Sequence, residues 1–401
     1  MFLDNITTIN LHWSADCNIA CKYCYIEKDK TYMVELNNQI REALVDGSFI
    51  QHIQHIWSTP ALRNQITALY FQGAEPTVNA DLFAATAYDL LDYFLNVNQI
   101  MFSTNALLSI TLYKEFLLPL YKYCEENARE ITLTIQLSLD GPRWLNDENR
   151  YPGATANTLR AIEELNSFEY LKSEYFKIKV ILKPTITIDN MREMDVLEYF
   201  KFFNNLEQKY ENSWIEYHLL GFPTLVIPGD YTKEDGLVFS SWLKSISEID
   251  RKEIPAYGNE PLFHDCNDIY NPNYDTCSAG KTSITIDFAG NLYICTRICR
   301  FGPSAHTMCS FGGDWDNKFR TFQEYHHNTE RRKQIALDII RKLAAQGEID
   351  SCYTIDTEAE KLYNVTLGIL CPVEAYEYFH DMYRPHEGIF KLFGNGALGQ
   401  I

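Results

Sequence analysis

The sequence predicts an α/β protein, a partial (β/α)6 TIM-like barrel followed by a C-terminal extension of a β-hairpin and helices. Three observations predict it. Short strand-like segments alternate with helical-period segments through the first half of the chain, as βα units of a parallel sheet do. The chemically suggestive residues of that half fall at the C-terminal ends of the strands, where such folds place their active sites. Near residue 225 the alternation stops and a different pattern begins, so the expected division is residues 1–230 for the barrel and 231–401 for the extension.

Taken in order, "TTINLHW" (7–13) alternates polar and apolar residues and predicts a first strand. "ITALYFQG" (66–73) predicts a second, "QIMFSTNA" (99–106) a third and "ITLTIQLSLDG" (131–141) a fourth. "YFKIKVILKPTI" (175–186) and "WIEYHLLGF" (214–222) complete six. Helical periods lie between them in "LFAATAYDLLDYFLN" (82–96), "LYKEFLLPLYKYCEENA" (112–128) and "NTLRAIEELNSF" (157–168). Beyond the change, a helix is expected over 237–250, then a loop rich in Pro, Asn and Tyr (254–276). "SITIDFAGNLYIC" (283–295) predicts a hairpin turning at Ala289-Gly290, and helices follow over 329–347 and 372–385.

The chain has 401 residues, of which 46% are hydrophobic, 14% aromatic and 22% charged, a composition that builds a packed core. Its formal charge of −19 argues against a large nucleic-acid footprint, which needs a basic surface. "MFLDNITTINLHWSA" has no basic segment leading into an apolar one, and no apolar run reaches the ~18–20 residues of a membrane span. A cytoplasmic location is expected. In such a reducing compartment the eleven cysteines are expected as metal ligands or buried thiols rather than disulfides.

The loop after the first strand, "DCNIACKYCYIEK", places Cys17, Cys21 and Cys24 in a C-x3-C-x2-C spacing. Thiolates are the ligands of iron–sulfur clusters, and three of them leave one iron of a four-iron cube open to a ligand. A zinc site completed by a distant histidine, or three buried thiols, are the alternatives the spacing leaves.

The loop resembles that of the radical S-adenosylmethionine (SAM) enzymes, with Tyr23 at the aromatic position before the last cysteine. "YFQGAEPT" (70–77) is similar to that family's Gly-Gly-Glu-Pro segment, with Ala74 in place of the second glycine. "FSTNALL" resembles its third-strand end, and "LSLDGPRWLNDENR" resembles a segment of its peptide-modifying members. The resemblance implies a [4Fe-4S] cluster on the three cysteines, with SAM chelated at the open iron. It implies that Glu75 holds the methionyl amine and that Gly73 lets the backbone approach a ligand. Ser103, Asn105 and Ser138 would serve the ribose or carboxylate of SAM, and Arg150 its carboxylate through a planar fork. Asp140 fits a turn in "LDGP" equally well.

"CSAGKTSITIDFAGNLYIC" (277–295) resembles the opening of the SPASM or twitch extension, which carries auxiliary iron–sulfur clusters. The resemblance implies one auxiliary cluster, or two, on Cys277 and Cys295, completed by Cys266 and Cys371, with Cys299, Cys309 and Cys352 as weaker candidates. The family's dense later run of cysteines is absent. Cys124 is expected as packing, and His12 and Trp13 as core or cover beside the loop.

The implied activity is reductive cleavage of SAM to a 5′-deoxyadenosyl radical that abstracts hydrogen from a residue of a peptide or protein, in the maturation of a ribosomally made peptide. The alternatives are a radical dehydrogenase or mutase acting on a small molecule, and an oxidation of Cys or Ser like that of the sulfatase maturases. A non-catalytic iron–sulfur carrier or a zinc-stabilised binding module is the reading from another class. The expected partners are the peptide, an external electron donor of the flavodoxin or ferredoxin type, and a separate peptide-recognition protein, because no domain-sized segment precedes Cys17. The catalytic residue that receives or gives protons is not legible.

Overall fold

The computed structural model describes residues 2–24, 30–108, 111–219, 224–225, 232–257, 278–294, 328–365, 390–391 and 394–395. All six expected strands are present: β1 (Thr8–Ser14), β2 (Ala68–Gly73), β3 (Gln99–Thr104), β4 (Ile131–Ser138), β5 (Phe176–Lys183) and, after the two-residue β6 (Thr185–Ile186), β7 (Glu216–Leu219). A second two-residue strand, β8 (Thr224–Leu225), pairs in parallel with β6. The hairpin is β9 (Ser283–Ile286) and β10 (Leu292–Tyr293). One open sheet runs β10-β9-β1-β2-β3-β4-β5-β7 and is parallel except at β10. Order in sequence is order in space from β1 to β5, as short right-handed crossovers dictate. The sheet is unclosed, a partial barrel in the sense the alternation predicts.

The hairpin does not stand apart from this sheet. β9 pairs in parallel with β1, Thr8 opposite Ser283 and Leu11 opposite Ile286, so residues from the expected extension form the sheet's edge. Its turn lies where Gly290 was expected to place it, with Gly290 at φ 79°. The buried Asp287 carboxylate accepts from the Ala289 and Asn291 amides and from the Tyr293 hydroxyl, which closes the turn.

The strand alternation sorts the two faces. On one face Ile9, Leu11, Leu69, Phe71, Ile100, Phe102, Leu133, Ile135, Val180 and Leu182 are buried. Aromatic rings continue this layer into the helices: Phe71 meets Phe83 at 4.8 Å, and Phe83 stacks on Phe116 at 4.1 Å. Trp13 belongs here as core, its indole N–H donating to the Pro76 carbonyl. The other face carries Asn10, His12, Tyr70, Gln72, Met101, Ser103, Gln136, Ser138 and Lys183. A closed barrel fills its interior with branched apolar side chains. Here the corresponding face is largely polar, with Tyr70, Gln72, Ser103 and Gln136 half-buried.

The helix expected over 112–128 begins as a π-turn, Leu112–Leu117, before regular α-helix over Leu118–Asn127. Pro119 has no N–H to return to the preceding turn, which favours the wider winding. Helices at Lys30–Val45, Ser48–Ile56 and Val196–Tyr210 add to those expected. The helix expected over 372–385 lies outside the described residues. Among the described residues no helix is long and apolar enough to cross a membrane.

Candidate active site

The site is built from the C-terminal ends of β1 to β5. β1 ends at Ser14 and the cysteine loop follows directly. Cys17, Cys21 and Cys24 are all half-buried free thiols. They stand close enough that Cys17 feels the charge of both others, and burial pushes its thiol up to about 12. Burial also raises Cys21, against the Arg150 cation, which lowers it. Among the described residues no three of His, Cys, Asp and Glu converge to hold a single metal ion.

Two polar assemblies hold the loop, one beside Cys17 and one beside Cys21 and Tyr23. The first is centred on Glu75, which follows β2. Ala74 N–H donates to the Ser14 carbonyl and Glu75 N–H to that of Asp16, at 3.1 Å each, so this turn is laced to the start of the cysteine loop. The Glu75 side chain is buried, at 1% exposure. Its Oε1 accepts from Thr77 N (3.1 Å), Thr77 Oγ1 (2.7 Å) and Thr104 Oγ1 (2.8 Å). Among the described residues its Oε2 accepts from Asn105 N alone (2.8 Å), which leaves acceptor capacity. Burial raises the Glu75 pKa, while these hydrogen bonds pull it down. Asn105 then reaches the loop, its Nδ2 donating to Asn18 Oδ1 at 2.7 Å and lying 3.9 Å from Cys17 Sγ.

The second assembly is centred on Asp140, just beyond β4. Its carboxylate is fully buried and takes the Arg150 guanidinium at two points, Nη2 to Oδ1 at 2.7 Å and Nε to Oδ2 at 3.0 Å. Tyr23 Oη donates to Oδ2 at 2.7 Å, and Thr185 N–H to Oδ1 at 3.1 Å. The third guanidinium nitrogen, Nη1, lies 3.9 Å from Cys21 Sγ. The guanidinium also sits 5.6 Å from the centre of the Tyr23 ring, at cation–π distance. Burial disfavours the Arg150 charge, and Asp140 more than restores it. Lys22 adds two tethers, its N–H to the Asn149 carbonyl at 2.8 Å and its ammonium to Glu148 at 2.7 Å.

Several expectations change in this light. Arg150 was expected to pair with the SAM carboxylate through its planar fork. Asp140 takes one edge of the guanidinium, Nε and Nη2, and the Nη1 end lies beside Cys21. Asp140 is correspondingly more than a turn residue. Gly73 was expected to let the backbone approach a ligand, and the main chain closest to it is that of Ser14. A Cβ at Gly73 (φ 151°) would stand 2.0 Å from the Ser14 carbonyl oxygen. Ser103 is engaged in a triangle with Tyr70 Oη (2.7 Å) and Gln136 Oε1 (2.8 Å) on the polar face. Ser138 ends β4 half-buried, its carbonyl accepting from Thr158 Oγ1 at 3.5 Å. Glu75, Asn105, Tyr23 and the three cysteines are brought together at one edge.

Cys266, Cys277, Cys295 and Cys371, expected as auxiliary ligands, lie outside the described residues, as do Cys299 and Cys309. Cys352 is exposed on a 3-10 turn, Ser351–Thr354, and Cys124 is buried in a helix as packing. Sequence reasoning missed Thr77, Thr104 and Asn18, whose hydrogen bonds hold Glu75 and Asn105. The only signal for Thr104 was its place beside Asn105 at the strand end.

No family model and no curated protein matches the chain. Solved structures similar to it include native anSMEcpe with bound AdoMet, at 17% identity and TM-score 0.45, covering 78% of this chain and 79% of that one. Native anSMEcpe with bound AdoMet and Kp18Cys peptide matches at 17% identity and TM-score 0.45, covering 78% and 80%. The functional reading below rests on this chain's own residues.

Proposed function

We propose that this chain is a radical SAM enzyme whose [4Fe-4S] cluster is held by Cys17, Cys21 and Cys24. The observation that carries the reading is the double grip on the cysteine loop, with a buried carboxylate of spare acceptor capacity on one side and a paired guanidinium on the other. The donor set fits an iron–sulfur cube. A cube binds each thiolate at a different iron, so its ligands need not converge on one point. Metal ligation requires the thiolate form, and the Arg150 charge beside Cys21 favours it.

When bound, such a cluster supplies one electron to SAM, breaking its 5′ carbon–sulfur bond to give methionine and a 5′-deoxyadenosyl radical. The chain's residues then have definite tasks. Glu75 takes the methionyl ammonium at Oε2, with Thr77, Thr104 and Asn105 fixing the carboxylate's position. Asn105 ties that carboxylate to the loop next to Cys17, so the SAM head and the thiolate move as one unit. Arg150, held by Asp140, places positive charge against Cys21. The polar face of β2 to β4, with the Tyr70–Ser103–Gln136 triangle, offers hydrogen bonds rather than apolar packing to a substrate entering from the open side.

The substrate we propose is a residue of a peptide or protein, modified in maturation of a ribosomally made peptide. An external flavodoxin- or ferredoxin-type donor would supply the electron, and a separate recognition protein would present the peptide. An auxiliary cluster on Cys277, Cys295, Cys266 and Cys371 would accept the leftover electron of an oxidation, and residues 231–401 would form that region. Anaerobic reconstitution tests the core of this. The wild type should take up iron and form 5′-deoxyadenosine from SAM under reduction, and the Cys17→Ala/Cys21→Ala/Cys24→Ala variant should form none while keeping the auxiliary iron. Iron uptake without 5′-deoxyadenosine in the wild type would leave an electron carrier instead.

A further inference from the structure

Two of the three candidate cluster ligands meet a side-chain N–H donor. Asn105 Nδ2 lies 3.9 Å from Cys17 Sγ, and Arg150 Nη1 lies 3.9 Å from Cys21 Sγ. The two donors differ in kind. The Asn105 amide is neutral and also donates to Asn18 Oδ1 at 2.7 Å. Arg150 brings a permanent positive charge, which no protein environment removes by proton loss.

That charge is held in place by its surroundings. Asp140 takes the Nε and Nη2 edge of the guanidinium, and the Nη1 end is turned to the sulfur. The Tyr23 ring lies 5.6 Å from the guanidinium, and its hydroxyl donates to the same carboxylate, as does Thr185 N–H. As a pair, Arg150 and Asp140 carry no net charge, so their far field is small. At Cys21 the near end of the pair is the positive one. With the arginine side chain 7% exposed and the aspartate fully buried, water does little to screen it. One-electron reduction of a four-iron cube adds negative charge to the cube and its thiolates. Local charge, hydrogen bonds to the sulfurs and solvent exposure set the potential at which that happens.

We propose that the Arg150–Asp140 pair raises the reduction potential of the cluster by presenting its positive end to Cys21. This rests on the proposed function and adds to it a residue that regulates electron entry: the external donor reduces the cluster more readily, at some loss of driving force for cleaving SAM. The test is an anaerobic redox titration of the reconstituted holoprotein, read by the electron paramagnetic resonance of the reduced cluster, with iron measured on each sample. It is run without SAM, so that contact between the guanidinium and SAM does not contribute. Signals that the Cys17→Ala/Cys21→Ala/Cys24→Ala variant keeps are assigned to auxiliary iron. Arg150→Gln/Asp140→Asn replaces the ion pair by neutral amides and leaves no charge orphaned. It should make reduction about tenfold less favourable, a fall of about 59 mV for one electron. Arg150→Gln alone, with Asp140 uncompensated, should fall further, and Arg150→Lys should recover most of the difference. An unchanged or raised potential in either Gln variant, or a Lys variant that falls as far, overturns the assignment. Loss of the cluster from every Arg150 variant would mark a purely structural role and overturn it as well. A wild type that forms no reducible four-iron cluster would overturn the proposed function itself, a separate result.

Discussion

Arg150 and Asp140 form a two-point ion pair in which the arginine side chain is 7% exposed and the aspartate not at all. A pair so buried is worth little against an apolar substitute but a great deal against the loss of one partner, because the survivor is left charged and unsolvated. Here the pair also carries Tyr23, Thr185 and the approach to Cys21. It is therefore the joint through which the cysteine loop is fastened to the end of β4.

Asp140→Asn should accordingly destabilise the protein by about 3–5 kcal/mol, since it orphans the Arg150 charge. Chemical denaturation of the iron-free protein measures this without involving the cluster. Hydrogen exchange should also quicken in residues 16–24 before it does in the sheet. A change below about 1 kcal/mol would mean that the pair is not fastening the loop.

Glu75 makes binding pH-dependent in a stated direction. Its folded pKa is raised, by burial first, above the ordinary carboxylate value of 4.5. In the empty protein the group therefore contributes stability that is fully present below the unfolded pKa and is lost as pH rises through the folded one. An ammonium ligand needs the ionised form and opposes that shift. SAM affinity of the holoprotein should thus fall on acidification from about pH 8 to about pH 5, beginning above the normal carboxylate range. Glu75→Ala should bind weakly at every pH and lose that slope. A wild-type titration as flat as the variant's would remove Glu75 from SAM binding.

Gly73→Ala places a methyl against the Ser14 main chain, with contacts of 2.0 Å to its oxygen and 2.7 Å to its nitrogen. Backbone cannot step aside as a flexible side chain can. A stability loss of about 1–3 kcal/mol is expected in iron-free protein, readable as a lowered melting temperature. Wild-type stability with selective loss of SAM binding would point back to a ligand at this position.

If Cys277 and Cys295 serve an auxiliary cluster, Cys277→Ser/Cys295→Ser should lose iron relative to the wild type. The same variant should retain 5′-deoxyadenosine formation in the absence of peptide. Wild-type iron equal to a single four-iron cluster would exclude the second site.

The strand ladder was legible because alternation is a local property. In "ITLTIQLS" the apolar residues at 131, 133, 135 and 137 must share a face in any strand, and the structure buries all four. The helix at Lys30–Val45 was not legible, because its apolar stripe is thin and its burial comes from packing on the following helix, on β1 and on the turn at Pro76–Leu82.

The sequence by itself determined the order of the βα units, the spacing of the three thiols and the kinds of residue available at each strand end. Those follow from short-range periodicity and from side-chain chemistry, which need no partner. Only the tertiary structure decided how those groups are spent: that Arg150 closes on Asp140, that Gly73 makes room for Ser14, and that β9 joins β1. Each of these is a contact between segments tens to hundreds of residues apart or between turns whose path no pattern encodes, and hydrogen-bond geometry selects it only after the sheet has brought the strand ends together.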